Sequence, residues 1–144
     1  MGLVKAVCIS EKRGTQKKAV PAIRLIEDYG IEGDAHAGKW HRQVSLLGFE
    51  KIEEFKARGI ELADGAFGEN IIVEGYDLKT LPVGSRFAIG EALVELTQIG
   101  KECHAHCAIY HQVGDCIMPR EGVFVKVLRG GTVKPGDEFS LLSE

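Results

Sequence analysis

The sequence predicts a mainly β fold, a closed or nearly closed β-barrel of short strands with one or two helical insertions. Glycine supplies 18 of the 144 residues, well above its usual share of about 7%, and glycine-rich chains with short apolar runs contain many turns. These runs number roughly six to eight, whereas a single segment has a clear helical pattern. A parallel sheet of alternating strands and helices is therefore disfavoured. We expect one domain over residues 1–144, because this length suits a single core.

Strand candidates are short β-branched or apolar runs bounded by turn residues. In chain order they cover residues 3–9, 19–30, 43–47, 70–75, 86–89, 92–99, 123–128 and 138–142. Pro21 suits an edge or a bulge, since proline has no N–H for a central strand. Gly90 and Glu91 join two candidates as a glycine-first pair, which predicts a type II′ hairpin. Cys8 lies in the first candidate, where we expect a small buried apolar group.

Residues 49–59 form the clearest helix candidate. Phe49, Ile52 and Phe55 fall on one stripe, as in a helix that packs one face on a core. Gly59 follows at the position where a helix-ending glycine is expected. The stripe therefore predicts packing and no chemistry.

Composition and charge exclude several classes of function. The net charge of −3 and the pI near 6.0 argue against a nucleic-acid-binding protein, which normally has a basic face. The apolar runs fall short of the roughly 18 residues that span a bilayer, and the N-terminus lacks the pattern of a signal peptide. We therefore expect a cytoplasmic protein with no membrane partner. Its four cysteines should stay reduced there, so catalytic or metal-binding roles outrank disulfides.

The strongest local signal lies between residues 103 and 116, which hold most of the cysteines and histidines. They are Cys103, His104, His106, Cys107, His111 and Cys116. Cys103 is the best candidate nucleophile, because Lys101 and Arg120 are near in sequence and cations stabilise a thiolate. Such a thiolate can attack, hold and release sulfur, or ligate a metal. The structural alternative is a buried, inert cysteine.

Cys107 and Cys116 admit three interpretations. In the first, one of them forms a disulfide with Cys103 when the carried sulfur leaves. Cys107 lies four residues after Cys103, which is a helix-neighbour spacing. In the second, they join Cys103 and one histidine in a tetrahedral site for zinc, although the spacing matches no standard zinc ribbon or finger. The third interpretation is ordinary packing.

A second candidate region begins at residue 33. Asp34 and His36 are two residues apart, and a carboxylate can orient an imidazole for proton transfer or metal binding. Asp34 can equally cap a turn. Arg42 follows, and together with Lys101 and Arg120 it is a candidate partner for phosphate oxygens. The alternative for each cation is a solvated surface position.

A third region, GAFGEN, covers residues 65–70. Gly65 and Gly68 allow backbone amides to approach an anion closely, so an anionic group such as a phosphate is a candidate ligand beside Glu69 and Asn70. The structural alternative is a tight loop that closes the barrel, in which Asn70 binds local backbone groups.

These pieces in this order resemble the MOSC family, the domain found at the C-terminus of molybdenum-cofactor sulfurases and as small stand-alone bacterial proteins. The resemblance rests on GIEGDAHAG with RQVSLL (30–47), GAFGENI (65–71), LPVGSRFAIGEALVELTQIGKEC (81–103) and GVFVKVLRGGTVKPGDE (122–138). It implies a β-barrel and an association with molybdenum-cofactor chemistry. It assigns Cys103 the sulfur-carrying or molybdenum-ligating role, whereas Cys107 and Cys116 lie outside the general family pattern. We expect no pyridoxal-phosphate domain of the sulfurase kind, because the chain is too short to contain one.

Three functional hypotheses follow. The first is a protein that binds molybdopterin or a related anionic pterin and either carries sulfur as a persulfide on Cys103 or ligates molybdenum through it. A cysteine desulfurase would donate the sulfur, and His36, Arg42, Lys101 and Arg120 would tune the thiolate and hold anionic groups. The second hypothesis is a molybdenum-cofactor-dependent reductase component for N-hydroxylated compounds, which needs an electron-transfer partner. The third is a non-catalytic module stabilised by zinc.

Overall fold

Seven strands close into a β-barrel in the computed structural model, which describes residues 2–12, 16–57, 59, 63–100 and 121–142. The described elements are β1 (Gly2–Ile9), β2 (Lys18–Val20), β3 (Ile23–Ile26), β4 (Gly30–Ile31), β5 (Val44–Gly48), α1 (Phe49–Lys56), β6 (Ile71–Glu74), a 3-10 helix (Leu78–Thr80), β7 (Arg86–Ile89), β8 (Ala92–Ile99), β9 (Val123–Arg129), β10 (Gly131–Val133) and β11 (Glu138–Leu141). The predicted fold class, a β-barrel with a helical insertion, is confirmed.

The barrel is antiparallel except at one pair of strands. Around the ring the order is β1, β11, β7, β8, β9, β5 and β6, and β6 pairs with β1 to close it. β5 and β6 run parallel, because α1 lies between them as a crossover, so the barrel contains one βαβ unit. β2 pairs with the C-terminal end of β1, and β10, β3 and β4 form a separate antiparallel sheet.

Alternating side chains of the strands fill the barrel interior, as the period of two in a strand requires. In β5 and β6 the inward set is Val44, Leu46, Ile71 and Val73. Leu47 and Ile72, which alternate with them, face outward and pack against Ile52 and Phe55 of the helix. The core therefore has two parts, one inside the barrel and one between the barrel and α1.

The helix confirms the predicted stripe but ends earlier than predicted. Ile52 and Phe55 are buried, and Phe49 is half-buried against the same cluster. α1 ends at Lys56, and the chain then turns to Gly59, which has φ +90° and donates its N–H to the Lys56 carbonyl oxygen at 2.9 Å. In the part of the chain that the structure describes, no helix is long and apolar enough to cross a membrane.

Turn chemistry accounts for both the correct and the missed strand predictions. Positive φ occurs at Gly90 (+54°) but not at Glu91, as the predicted type II′ hairpin between β7 and β8 requires. The predicted segment 19–30 instead divides into β2, β3 and β4, with Pro21 directly after β2. β10 was not predicted. A Cβ at Gly130 would lie 2.5 Å from the Leu25 carbonyl oxygen, so glycine there allows the approach to β3.

Candidate functional site

A buried ion pair organises the loop between β4 and β5, residues 32–43. The Lys17 ammonium donates to Asp34 Oδ1 at 2.8 Å, and both side chains have no exposed surface. The same Nζ lies 3.0 Å from Ser10 Oγ and 3.1 Å from His36 Nδ1. An ammonium has three N–H donors, so these three acceptors use all of them. A lysine this deeply buried is unusual unless it is paired.

Asp34 holds two backbone segments together. Its Oδ1 accepts the N–H of Ser10 at 3.1 Å, and its Oδ2 accepts the N–H of His36 at 3.0 Å. Ser10 follows β1, whereas His36 belongs to the β4–β5 loop. The carboxylate therefore has the predicted turn-capping role together with the ion pair to Lys17. It fixes the position of the loop on the barrel.

The β4–β5 loop continues from His36 as a line of contacts that we call the His36–Gln98 row. Its members are His36, Trp40, His41, Arg42 and Gln98. Trp40 donates Nε1–H to the His36 carbonyl oxygen at 2.8 Å, and the two rings are parallel with centroids 6.5 Å apart. The Trp40 ring also meets the His41 ring edge-on at 5.8 Å.

The row ends at Gln98 of β8, which contacts His41 and Arg42. Its Oε1 accepts Arg42 Nε–H at 3.0 Å and lies 2.8 Å from His41 Nε2. Its Nε2 donates to the Gly100 carbonyl oxygen at 2.8 Å. The Arg42 guanidinium lies over the Phe124 ring, 5.2 Å from the centroid, which is a cation–π distance. The structure thus brings the predicted residues His36 and Arg42 into one row that reaches the end of β8.

Glu69 uses its carboxylate within the GAFGEN loop. Its Oε2 accepts the N–H of Gly65 at 3.1 Å, and its Oε1 accepts the N–H of Phe67 at 2.9 Å. Burial raises the pKa of Glu69 to about 7, although the bonds from these amides lower it. Two amides that could have faced an anion are therefore engaged inside the loop. A ligand-binding role for Glu69 stays a prediction, whereas its structural role is directly visible.

Asn70 also binds neighbouring parts of the chain. Its Oδ1 accepts the N–H of Ser45 at 2.9 Å and the Ser45 hydroxyl at 3.1 Å, and its Nδ2 donates to the Cys8 carbonyl oxygen at 3.0 Å. The side chain thereby ties the start of β6 to β1 and β5. Asn70 thus binds local backbone groups, which is the structural role that the sequence offered beside ligand binding. Cofactor binding by Asn70 stays a prediction.

Cys8 is a buried free thiol, as the sequence predicts. Burial raises its pKa to about 12, and the nearby Glu69 carboxylate acts in the same direction. Since the thiolate is the nucleophilic form, Cys8 is inert near neutral pH. It provides an internal control for any thiol chemistry elsewhere in the chain.

A groove lies beside the buried ion pair. Its volume is about 670 Å³, within the usual range of roughly 300–1,000 Å³ for ligand sites. Its lining includes two lysines, Lys12 and Lys18, and the carboxylate of Glu11, together with Ile9, Ser10, Gln16, Val20 and Gly33. Ser10 contacts both the groove and the Lys17 ammonium, and Gly33 directly precedes Asp34. We call this cavity the β1–β2 groove.

A smaller cavity of about 270 Å³ lies at the end of β5 and β6. Glu121 lines it, with Oε2 2.9 Å from Lys79 Nζ and Oε1 3.9 Å from Lys51 Nζ. Since the charged residues of its lining are Glu50, Lys51, Asp77 and Glu121, a mainly acidic set, the β1–β2 groove is the better candidate for an anionic ligand.

The cysteine-rich segment lies outside the described residues. This applies to the predicted nucleophile Cys103, to Cys107 and Cys116, and to the predicted phosphate partners Lys101 and Arg120. Within the described residues, no group of three histidine, cysteine or acidic side chains is arranged to hold a metal ion. The assignments of Cys103 to molybdenum or sulfur, and of Cys107 and Cys116 to zinc, therefore stay predictions.

Sequence reasoning missed Lys17, Ser10 and Gln98. Lys17 lies in a basic run beside Lys18, and such a run is ordinarily a solvated turn. No local pattern distinguishes the buried lysine from its exposed neighbour, because its partner Asp34 is 17 residues away. Gln98 likewise gains its role from a residue 56 positions away.

Comparison with known sequences identifies one family and one curated relative. A profile of the MOSC domain family matches residues 33–140. YflK of Bacillus subtilis (strain 168), described as an uncharacterized protein, is 32% identical over 143 residues. The match covers 90% of this chain and 63% of YflK, so the chain spans less than two thirds of that relative.

Solved structures share the whole architecture. YuaD from Bacillus subtilis superposes with a TM-score of 0.76 at 22% identity, covering 100% of this chain and 97% of YuaD. YiiM from Geobacillus stearothermophilus gives 0.74 at 21% identity, with 99% and 76% coverage. YiiM from Escherichia coli gives 0.69 at 19% identity, with 99% and 70% coverage. Identities this low show the fold alone. The family profile, in contrast, spans most of the sequence, and the chain belongs to the MOSC domain family.

Proposed function

We propose that this protein binds the molybdenum cofactor, or a related anionic pterin, and uses the Cys103 thiolate to carry sulfur or to ligate molybdenum. The family is associated with the C-terminal domain of molybdenum-cofactor sulfurases. The observation that carries the proposal is the His36–Gln98 row, which leads from the buried Lys17–Asp34 pair to Gly100. Cys103 follows Gly100 by three residues, and an extended chain spans that separation in at most about 11 Å.

The charges around the row fit an anionic ligand. Arg42 uses its Nε–H on Gln98, and the hydrogen bonds described for Arg42 leave its two terminal NH2 groups for a ligand. A guanidinium fork matches phosphate oxygens in geometry and charge. Lys12 and Lys18 line the β1–β2 groove together with Glu11, so the charged residues of its lining sum to a net positive charge. The donor set therefore suits a phosphate-bearing pterin.

The metal chemistry fits a cofactor that brings its own metal. From the protein it needs a single thiolate ligand, Cys103. A thiolate is a ligand of the soft type. When bound, the cofactor supplies the metal and its remaining ligands. The protein contributes the thiol, the cations that hold the anionic group, and the walls of the site.

As a sulfur carrier, Cys103 needs a donor with a persulfide. The Cys103 thiolate attacks the outer sulfur of a cysteine desulfurase persulfide, the donor S–S bond breaks, and the donor leaves as a thiolate. Cys103 then holds the transferred sulfur as a persulfide, with no net oxidation in the step. Cations near the thiol favour the ionised, attacking form. We place this chemistry in the cytoplasm, where thiols stay reduced.

The test compares two cysteine variants. Wild-type protein, Cys103→Ser and Cys8→Ala are each incubated with a cysteine desulfurase and free cysteine, then measured by intact mass spectrometry. We expect wild type and Cys8→Ala to gain the mass of one sulfur atom and Cys103→Ser to gain none. Cys8→Ala is the matched control, because Cys8 is buried and its pKa is about 12. Equal sulfur loading of Cys103→Ser would remove Cys103 from the mechanism.

A further inference from the structure

We infer that Gln98 is a positioning residue for Arg42, placed by a β-bulge in β8, and that this contact raises the affinity for the anionic ligand. The ligand half of the inference rests on the proposed function. The positional half concerns the protein alone, so the two halves are tested separately.

A β-bulge turns Gln98 to the outer face of the barrel. Leu96 lies opposite Val125 and Gln98 lies opposite Phe124, so β8 uses two residues where β9 uses one, and Thr97 is the extra residue. Leu96 and Val125 fill the barrel interior, and in a regular strand Gln98, two residues after Leu96, would face the same way. Beyond the bulge it instead shares a face with Phe124, which packs outside the barrel in the cluster with α1.

Two consecutive side chains of β8 therefore contact the β4–β5 loop. The Thr97 hydroxyl contacts the His41 carbonyl oxygen and lies 3.0 Å from the Phe124 carbonyl oxygen, and the Gln98 amide contacts His41 and Arg42. Successive side chains of a regular strand point to opposite faces, so the bulge accounts for this pair of contacts. Bulges commonly re-aim a side chain beside a functional site.

The partners of the Gln98 amide fix its orientation twice. Arg42 Nε–H can only donate and lies 3.0 Å from Oε1, whereas the Gly100 carbonyl oxygen can only accept and lies 2.8 Å from Nε2. A flipped amide would lose both bonds. Gly100 is itself held at the end of the β8–β9 pair, because its N–H donates to the Gly122 carbonyl oxygen at 2.7 Å. The amide thus presents its oxygen to Arg42 from a fixed point of the sheet.

Arg42 is held at two points of its guanidinium. Gln98 accepts the Nε–H, and Cζ lies 5.2 Å from the centre of the Phe124 ring. Since Gln98 and Phe124 lie opposite each other on paired strands, the barrel supplies both contacts from one surface. Arg42 is half-buried, and among the described residues it makes no further hydrogen bond or ion pair. A cation that is oriented before binding loses less conformational freedom when it binds an anion.

The first measurement follows the Arg42 Nε–H signal by NMR in wild-type, full-length 15N-labelled protein at neutral pH. The signal is identified by its loss in Arg42→Lys. Because this N–H donates to Gln98, we expect its exchange with water to be slower than in free arginine by about tenfold or more. Exchange as fast as in free arginine would overturn the inference. Since wild type is the sample, this result does not depend on the folding of a Gln98 variant.

The second measurement tests whether Gln98 causes the slow exchange. In Gln98→Met we expect the protection of Arg42 Nε–H to be lost, whereas Gln98→Glu keeps an acceptor near Oε1 and should preserve it. Ser85→Ala is the matched control, because it removes a side-chain hydrogen bond to the Pro82 carbonyl oxygen in a different turn. Protection that persists in folded Gln98→Met would remove the positioning role, and so would an equal loss of protection in Ser85→Ala.

The third measurement tests the ligand half by the molybdopterin that each purified variant retains. Gln98→Met leaves the charge unchanged, so a loss of ligand reports the position of Arg42. We expect retention to fall by about tenfold, the lower end of what a hydrogen bond to a charged group contributes to affinity. Ser85→Ala should retain as much as wild type.

The outcomes separate this inference from the proposed function. If wild type and Gln98→Met retain molybdopterin equally, the ligand half is overturned while the proposed function stands. If wild type retains no molybdopterin, the proposed function and the ligand half both fall, and the exchange of Arg42 Nε–H still decides the positional role of Gln98.

Discussion

Replacing Lys17 with methionine should destabilise the protein by about 3–5 kcal/mol. The reason is burial of the partner charge, because Lys17 and Asp34 have no exposed side-chain surface and lie 2.8 Å apart. Methionine has a similar volume but no charge, so Asp34 would stay buried without its counter-ion. For a domain of this length the loss corresponds to a decrease in Tm of roughly 10–15 °C. That is a large part of the roughly 5–15 kcal/mol that stabilises a typical domain.

The assay is urea unfolding followed by the fluorescence of Trp40, the single tryptophan of the chain, and by circular dichroism as an independent probe. Lys126→Met removes a partly exposed ion pair, in which the lysine side chain is 42% exposed and the Glu95 side chain 21%, and should cost less than about 1 kcal/mol. A Lys17→Met loss as small as that of Lys126→Met would show that the pair does not stabilise the β4–β5 loop as described.

Three further predictions concern the GAFGEN loop and its surroundings. Burial holds the pKa of Glu69 near 7 in the folded state against about 4.3 when unfolded. The native state therefore binds more protons between these pH values, so the free energy of unfolding should fall by about 3 kcal/mol as pH rises from 4 to 8. Urea titrations at several pH values should show a smaller pH dependence for Glu69→Gln. An unchanged pH dependence in that variant would show that another group causes it. Gly65→Ala should destabilise the protein by about 2–5 kcal/mol in thermal unfolding, because φ is +89° and a Cβ would collide with the Lys17 carbonyl oxygen. Gly59→Ala is the control: φ is +90° there but no heavy atom lies within 4 Å of the added Cβ, so the loss should be about 1–2 kcal/mol. Equal losses in the two variants would show that the collision at Gly65 does not contribute. Cys8 should resist alkylation in native protein at pH 7 and react after denaturation, as peptide mass spectrometry will show; rapid native labelling would contradict its burial and its pKa of about 12.

Local signals made the hairpin and the helix predictable. The β7–β8 hairpin follows from two apolar runs and the pair Gly90-Glu91, whose φ preferences are set by the residues themselves. The buried stripe of α1 follows from the spacing of Ile52 and Phe55. In each case the information lies within about ten residues, where propensity and periodicity act.

Long-range contacts account for what the sequence did not predict. β4 and β10 are two and three residues long, so an alternating pattern cannot be recognised in their sequences. Each becomes a strand by pairing with β3, which lies between them. The pairing of β1 with β11 closes the barrel across most of the chain. Lys17 shows the same limit in the site, since its burial depends on Asp34 and His36, and a basic run carries no sign of it.

The candidate site was predicted in part. The motif around Asp34, His36 and Arg42 pointed to one region, and the structure joins these residues into a continuous set of contacts. For Glu69 and Asn70 the sequence left a ligand role and a structural role open, because a carboxylate can face a ligand or bind its own loop. The observed bonds to Gly65, Phe67 and Ser45 supply the structural role.

Binding of a pterin by this protein can be measured as the pterin that the purified protein retains. Wild type and Arg42→Gln are produced in a host that synthesises molybdopterin, purified identically, oxidised, and measured by pterin fluorescence. We expect near-stoichiometric pterin on wild type and a decrease of about tenfold or more on Arg42→Gln, since the guanidinium supplies a charge-assisted bond to the ligand. Absence of pterin fluorescence from wild-type protein would contradict it.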